Sequence, residues 1–174
     1  MTKYADLFTN RQLTALVTFS DLISEVIEQV EKKCNRVIVN ANETSNSLDE
    51  SGKGAKAYAD AVGVYLAFEN DKSANLWSTI CSWMNDRGAF RETFARQAIP
   101  MVWDYAEANP FSDSGGNISQ FITRCSDVIL SLPSIEYMKK CSVNQLDATQ
   151  ISSNKPIVIS TDPPYYTIIA LRHS

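Results

Sequence analysis

The chain has 174 residues with a formal net charge of −4, 44% hydrophobic and 21% charged residues. That balance fits one soluble globular domain with a sizeable core and excludes a disordered tail. It also argues against a protein built wholly around phosphate contacts, which shows a basic balance or a basic stripe.

Taken in chain order, the pattern is mostly helical. Thr9 with Gln12 is a capping-box signature, and Leu13, Leu16, Val17, Ile23, Val26, Ile27 and Val30 recur at helical spacing to about Cys34. A polar, Asn- and Ser-rich stretch from Asn40 to Gly54 reads as an exposed loop. Helical character resumes near Ala55, with one apolar face made by Tyr58, Ala61, Val62, Tyr65, Leu66 and Phe68. Leu76, Trp77, Ile80, Cys81 and Met84 form a second face, and Asp71-Lys72-Ser73 between them is a bend or a mid-helix surface.

After the Arg87-Gly88 interruption, Phe90 to Gln97 reads as a short helix. Pro100 then suits the first turn of another helix over Met101 to Ala108, closed by Asn109-Pro110. Gly115-Gly116-Asn117 opens a helix through Leu130 with Phe121, Ile122, Cys125, Val128 and Ile129 inward, and Ser131 to Ser134 restarts a short one ending near Lys140. Strand patterns follow only at Ser142 to Asp147 and Ile157 to Thr161.

The four cysteines, Cys34, Cys81, Cys125 and Cys141, are widely spaced and His173 is the single histidine, so a zinc site is not expected. The amino terminus has no apolar segment for secretion, and no stretch approaches the ~20 apolar residues of a bilayer span. A reducing cytoplasm with free thiols is the expected setting.

The densest chemistry lies near the end. Pro156-Ile157-Val158-Ile159-Ser160-Thr161 leads into Asp162-Pro163-Pro164-Tyr165. A β-branched run reads as a buried strand, and open α/β sheets place their sites just past the carboxyl ends of such strands. Two prolines fix two φ angles and remove two donors, leaving a stiff turn with free carbonyls. Such a tetrad suits methylation of an exocyclic amine. Asp162 Oδ and the Pro163 carbonyl would each accept one N–H of the amine, Pro164 would stiffen the turn, and Tyr165 would stack on an extruded base.

Asp162-Pro163-Pro164-Tyr165 resembles the catalytic motif of N6-adenine DNA methyltransferases. Two further blocks agree, Leu7 to Leu13 with Thr18 to Leu22, and Arg96 to Asp104 through Asn109-Pro110-Phe111. In this order, and ending in Ser160 to Tyr166, they look like the middle of the large bacterial adenine-specific DNA methylases with an uncharacterised amino-terminal domain. The resemblance implies S-adenosylmethionine as cofactor and DNA as partner. Similar tetrads also serve glutamine or RNA methylation, and the leading Asp favours adenine or cytosine amines in DNA.

The Gly-rich loop that cradles the methyl donor in that family has no counterpart here. Gly52-Lys53-Gly54 and Gly115-Gly116 follow polar stretches rather than an apolar strand. After Tyr166 the chain also departs from the family, which continues with an acidic residue and an aromatic-rich helix. The expected fold is therefore mainly α. A helical bundle-like insertion over residues 1–141 precedes two short strands within 142–174, left from an incomplete Rossmann-like methyltransferase sheet. The expected function is that of a methyltransferase fragment, inactive alone, that needs a complementing chain or self-association.

Three further readings stay double. Asp147 either contacts the cofactor adenine or caps a turn through backbone N–H groups. Arg87, Arg91 and Arg96 form either a phosphate-facing ridge or a solvated surface with local ion pairs. Trp77, Trp83 and Trp103 stack on bases or pack in the core, and packing is favoured for each. The alternative to a methyltransferase fragment is a helical DNA- or protein-interaction module without catalysis.

Overall fold

The structure, a computed structural model, describes residues 3–37, 46–95, 98–99, 101–133, 145–152 and 156–162. The chain divides into two compact units, Met1–Leu132 and Pro133–Ser174. Among the described residues the architecture is mainly α, with helices α1 (Asn10–Val37), α2 (Ala55–Leu76) and α3 (Ile118–Ser131). A small antiparallel sheet of β1 (Trp83–Met84) and β2 (Ala89–Phe90) completes it. No described helix is long and apolar enough to cross a membrane.

The expected capping box starts α1. Thr9 N–H donates to Gln12 Oε1 at 2.8 Å and Gln12 N–H to Thr9 Oγ1 at 3.3 Å, which satisfies two amides that the helix leaves unpaired. The helix then runs to Val37, one turn past the predicted end.

Helices α1 and α2 run antiparallel, because Gly63 faces Ile27 while Asn70 Nδ2 reaches the Leu16 carbonyl at 3.3 Å. Close approach explains which face of α2 is buried. Ala55, Ala57, Ala59 and Gly63 are hidden, whereas Tyr58, Tyr65 and Phe68 stay 59%, 40% and 58% exposed. The predicted face is thus corrected in part: Ala61, Val62 and Leu66 are half-buried, but the three aromatics stay exposed while small side chains take the buried positions.

Helix α2 stops at Leu76, so the second predicted helical face is not a helix. Trp77, Ile80 and Cys81 are nevertheless buried, in a chain of turns. Ser78 and Thr79 explain the break, since their hydroxyls take part in competing bonds. Ser78 Oγ pairs with Thr93 Oγ1 at 2.6 Å, and Thr79 donates to the Leu7 carbonyl from both its N–H and its hydroxyl. The core gathers around this point: Leu76, Trp77, Cys81, Ala108 and Phe121, with Leu16, Phe19 and Phe90 packed against them. Trp77 Nε1 donates to the Gly116 carbonyl at 2.8 Å, so its one polar atom is satisfied.

Among the described residues between Phe90 and Ala108, neither predicted helix forms. Arg91 N–H donates to the Ser82 carbonyl, Thr93 N–H to that of Asn75, and Ala106 N–H to that of Cys81. These long-range bonds hold the described residues in turns and irregular backbone and use groups that a helix would need. Helix α3 agrees with prediction: Asn117 Oδ1 accepts from Gln120 N–H at 2.7 Å, and Phe121 is its buried anchor. Of the other residues predicted inward, Cys125 is half-buried, whereas Val128 is 60%, Ile122 42% and Ile129 39% exposed.

In the unit Pro133–Ser174 the predicted strand at Ile157 to Thr161 is not formed; residues 156–162 have no strand pairing and are exposed. A β-branched run becomes a strand only beside a partner edge. The predicted strand at Ser142 to Asp147 is likewise absent where described: residues 145–147 are irregular and lead into a 3-10 turn, Ala148–Gln150. Residues 142–144 and the short helix predicted near Lys140 lie outside the described residues.

Candidate functional site

Asp162 ends the described part of its segment, and its side chain is open to solvent. The residues that deliver it are open too: Ile157 is 52%, Val158 100% and Ile159 70% exposed. Pro163, Pro164 and Tyr165 lie outside the described residues. The carboxylate is accessible to an amine, and the apolar run before it is uncovered.

Asp147 is engaged locally. Its Oδ1 accepts from Thr149 N–H at 2.9 Å and from Thr149 Oγ1 at 2.7 Å, while Gln150 N–H donates to its carbonyl at 2.9 Å. This is an Asx turn opening the 3-10 turn. The Thr149 backbone N–H, then its hydroxyl, holds the carboxyl below the usual carboxylate range.

Arg87 and Arg91 do not share a helical face. Arg87 sits in the β1–β2 turn, where Gly88 takes φ +59° and donates its N–H to the Met84 carbonyl at 2.9 Å, and Arg91 follows β2. The four-residue spacing therefore has hairpin rather than helical meaning. The Arg87 guanidinium stands 3.7 Å from Asp86. Arg96 lies outside the described residues. Nearby, Lys72 bonds Glu92 and holds its carboxyl below the usual range.

The three tryptophans divide. Trp77 is core, and Trp83 is 47% exposed with its ring edge-on to Phe90 at 5.1 Å. Trp103 is fully exposed and Met101 is 90% exposed, against the expectation of packing for Trp103. The helix expected over Met101 to Ala108 is absent, and the irregular backbone there leaves Trp103 in solvent. Ile99 and Phe94, at 49% and 51%, add to the uncovered apolar side chains of this stretch.

Among the described residues Cys34, Cys81 and Cys125 are free thiols. No family model, no curated protein and no solved structure matches the chain. The chemistry of the residues themselves is therefore the basis for a functional reading.

Proposed function

We propose that this chain is a piece of an S-adenosylmethionine-dependent N6-adenine DNA methyltransferase. It would supply the Asp-Pro-Pro-Tyr tetrad and the helical body before it, while the donor pocket comes from other polypeptide. One observation supports the reading above others. The described parts of two stretches that resemble the family, Ile99 and Met101 to Asp104 of the first and Ser160 to Asp162 of the second, lie in or next to uncovered apolar segments, with Met101, Trp103 and Val158 almost wholly in solvent. Large uncovered apolar side chains mark surfaces that another polypeptide covers.

In the assembled enzyme, Asp162 Oδ and the Pro163 carbonyl would each accept one N–H of the adenine amine. This favours a pyramidal nitrogen whose lone pair points at the incoming methyl. Pro164 would fix the turn, and Tyr165 would stack on the flipped base. S-adenosylmethionine supplies the electrophilic methyl when bound. Holding donor against acceptor accounts for much of the rate in such a transfer, so the chain alone is expected to be inactive. Asp147 would approach the donor's adenine with the carboxylate face left free by Thr149, and Arg87, Arg91 and Arg96 would meet phosphate.

A helical DNA- or protein-interaction module remains the second reading, favoured by the core that the unit Met1–Leu132 builds around Trp77. Sedimentation of the purified chain separates the two. The methyltransferase reading expects concentration-dependent association abolished by Val158→Asp, and no heat on titration with S-adenosylmethionine to millimolar concentration. A monomer at all concentrations would overturn it in favour of the module.

A further inference from the structure

Helix α3 lies antiparallel to α2: Phe121 near its start joins Leu76 in the core, while Leu132 just past its end lines a groove with Tyr65. This groove, of about 560 Å³, leaves Tyr65, Phe68, Val128, Ile129 and Leu132 between 39% and 60% exposed. Tyr58, two helical turns before Tyr65, extends the same exposed face. Three half-exposed rings of about 200 Å² each, with three aliphatic side chains, supply much of the ~800 Å² that each partner of a stable dimer buries.

The charges on this face select its occupant. Glu69 of α2 and Arg124 of α3 both line the groove. They stand at one level, because the Cys125 thiol, adjacent to Arg124, is held above its usual range by burial and then by Glu69. Neither Glu69 nor Arg124 forms an ion pair among the described residues, and Lys72, the other charge of the groove, is paired with Glu92. The two walls thus carry one uncompensated charge of each sign. A twofold axis along the groove lays each wall on the opposite wall of a second copy, so that each Glu69 meets an Arg124 and each α2 packs antiparallel on an α3. A partner of single sign would bury one of the two charges unpaired.

We propose that a second copy of this chain closes the α2–α3 face, forming a twofold dimer with two reciprocal Glu69–Arg124 ion pairs around an apolar centre of Tyr65, Phe68, Val128 and Ile129. The dimer goes beyond the methyltransferase reading and is independent of it; the concentration-dependent step through Val158 adds to it.

The test is sedimentation equilibrium of the full chain carrying Val158→Asp, which removes that second step. A dimer is expected. Glu69→Arg and Arg124→Glu, each added alone, should weaken it at least about tenfold, since like charges then meet twice. Mixing these two variants should restore a dimer, as a heterodimer in which both pairs are again of opposite sign. An ion pair within one chain would not be rescued by mixing. Arg124→Glu and Val128→Asp alter exposed side chains and carry the test if Glu69→Arg does not fold. A monomeric Val158→Asp chain, an undiminished dimer in the variants, or a mixture that stays monomeric would overturn the proposal. A dimer without any further concentration-dependent step in the wild type would support it and overturn the methyltransferase reading alone.

Discussion

Cys81 lies sealed beneath the hairpin with its Sγ donating to the Arg91 carbonyl at 3.0 Å, and burial together with the charge of Glu92 pushes its thiol up to about 11. An unfolded thiol ionises near 9.0, so between pH 9.0 and about 11 the unfolded chain holds fewer protons than the folded one. Stability therefore falls as pH rises through that window. Melting curves of the wild type and Cys81→Ala should converge there, because the variant lacks this part of the slope. Ellman's reagent at pH 8 should leave Cys81 unmodified until denaturant is added. At Gly63, an added Cβ would lie 2.5 Å from Ile27 Cδ1. Overpacking costs about 1–3 kcal/mol and the gain in helix propensity offsets up to about 1, so Gly63→Ala should destabilise the fold. Ile27 Cγ1 would lie only 2.7 Å from it as well, so adding Ile27→Ala, which removes both atoms, should make the double variant more stable than the sum of the single effects, measured by urea unfolding.

At the scale of elements, helices with a start signal written in neighbouring residues were legible. Thr9 with Gln12, and Asn117 ahead of Phe121, announce α1 and α3 because the capping bonds span only three residues. Asn117→Ala should cost about 1–2 kcal/mol in thermal unfolding, since its amide caps Gln120 and also donates to the Ser114 carbonyl at 2.6 Å. The segments between Trp77 and Ala108 were not legible as non-helical. Their conformation rests on bonds from Thr93 to Asn75 and from Ala106 to Cys81, pairings that apolar periodicity does not encode. The run at Ile157 failed for a related reason: its strand character is local, but strand formation needs a second edge.

For the whole molecule, the uncovered side chains make association the property to measure. Trp103→Ser and Val158→Asp change residues that are fully exposed, so each should leave the melting temperature nearly unchanged while lowering the sedimentation coefficient at high concentration. A lowered melting temperature in either variant would show that the residue packs within its own unit. By itself, the sequence determined a mainly α chain, both capped helix starts and the tetrad at Asp162, because each is fixed by residues a few positions apart. The tertiary structure alone decided that α2 buries Ala57, Ala59 and Gly63 instead of its aromatics, and that Trp77 is core while Trp103 is bare. It also decided that Gln12 Nε2 is buried without a partner. The physical reason is common to these: burial depends on how closely distant backbones approach and on which hydrogen bonds they exchange.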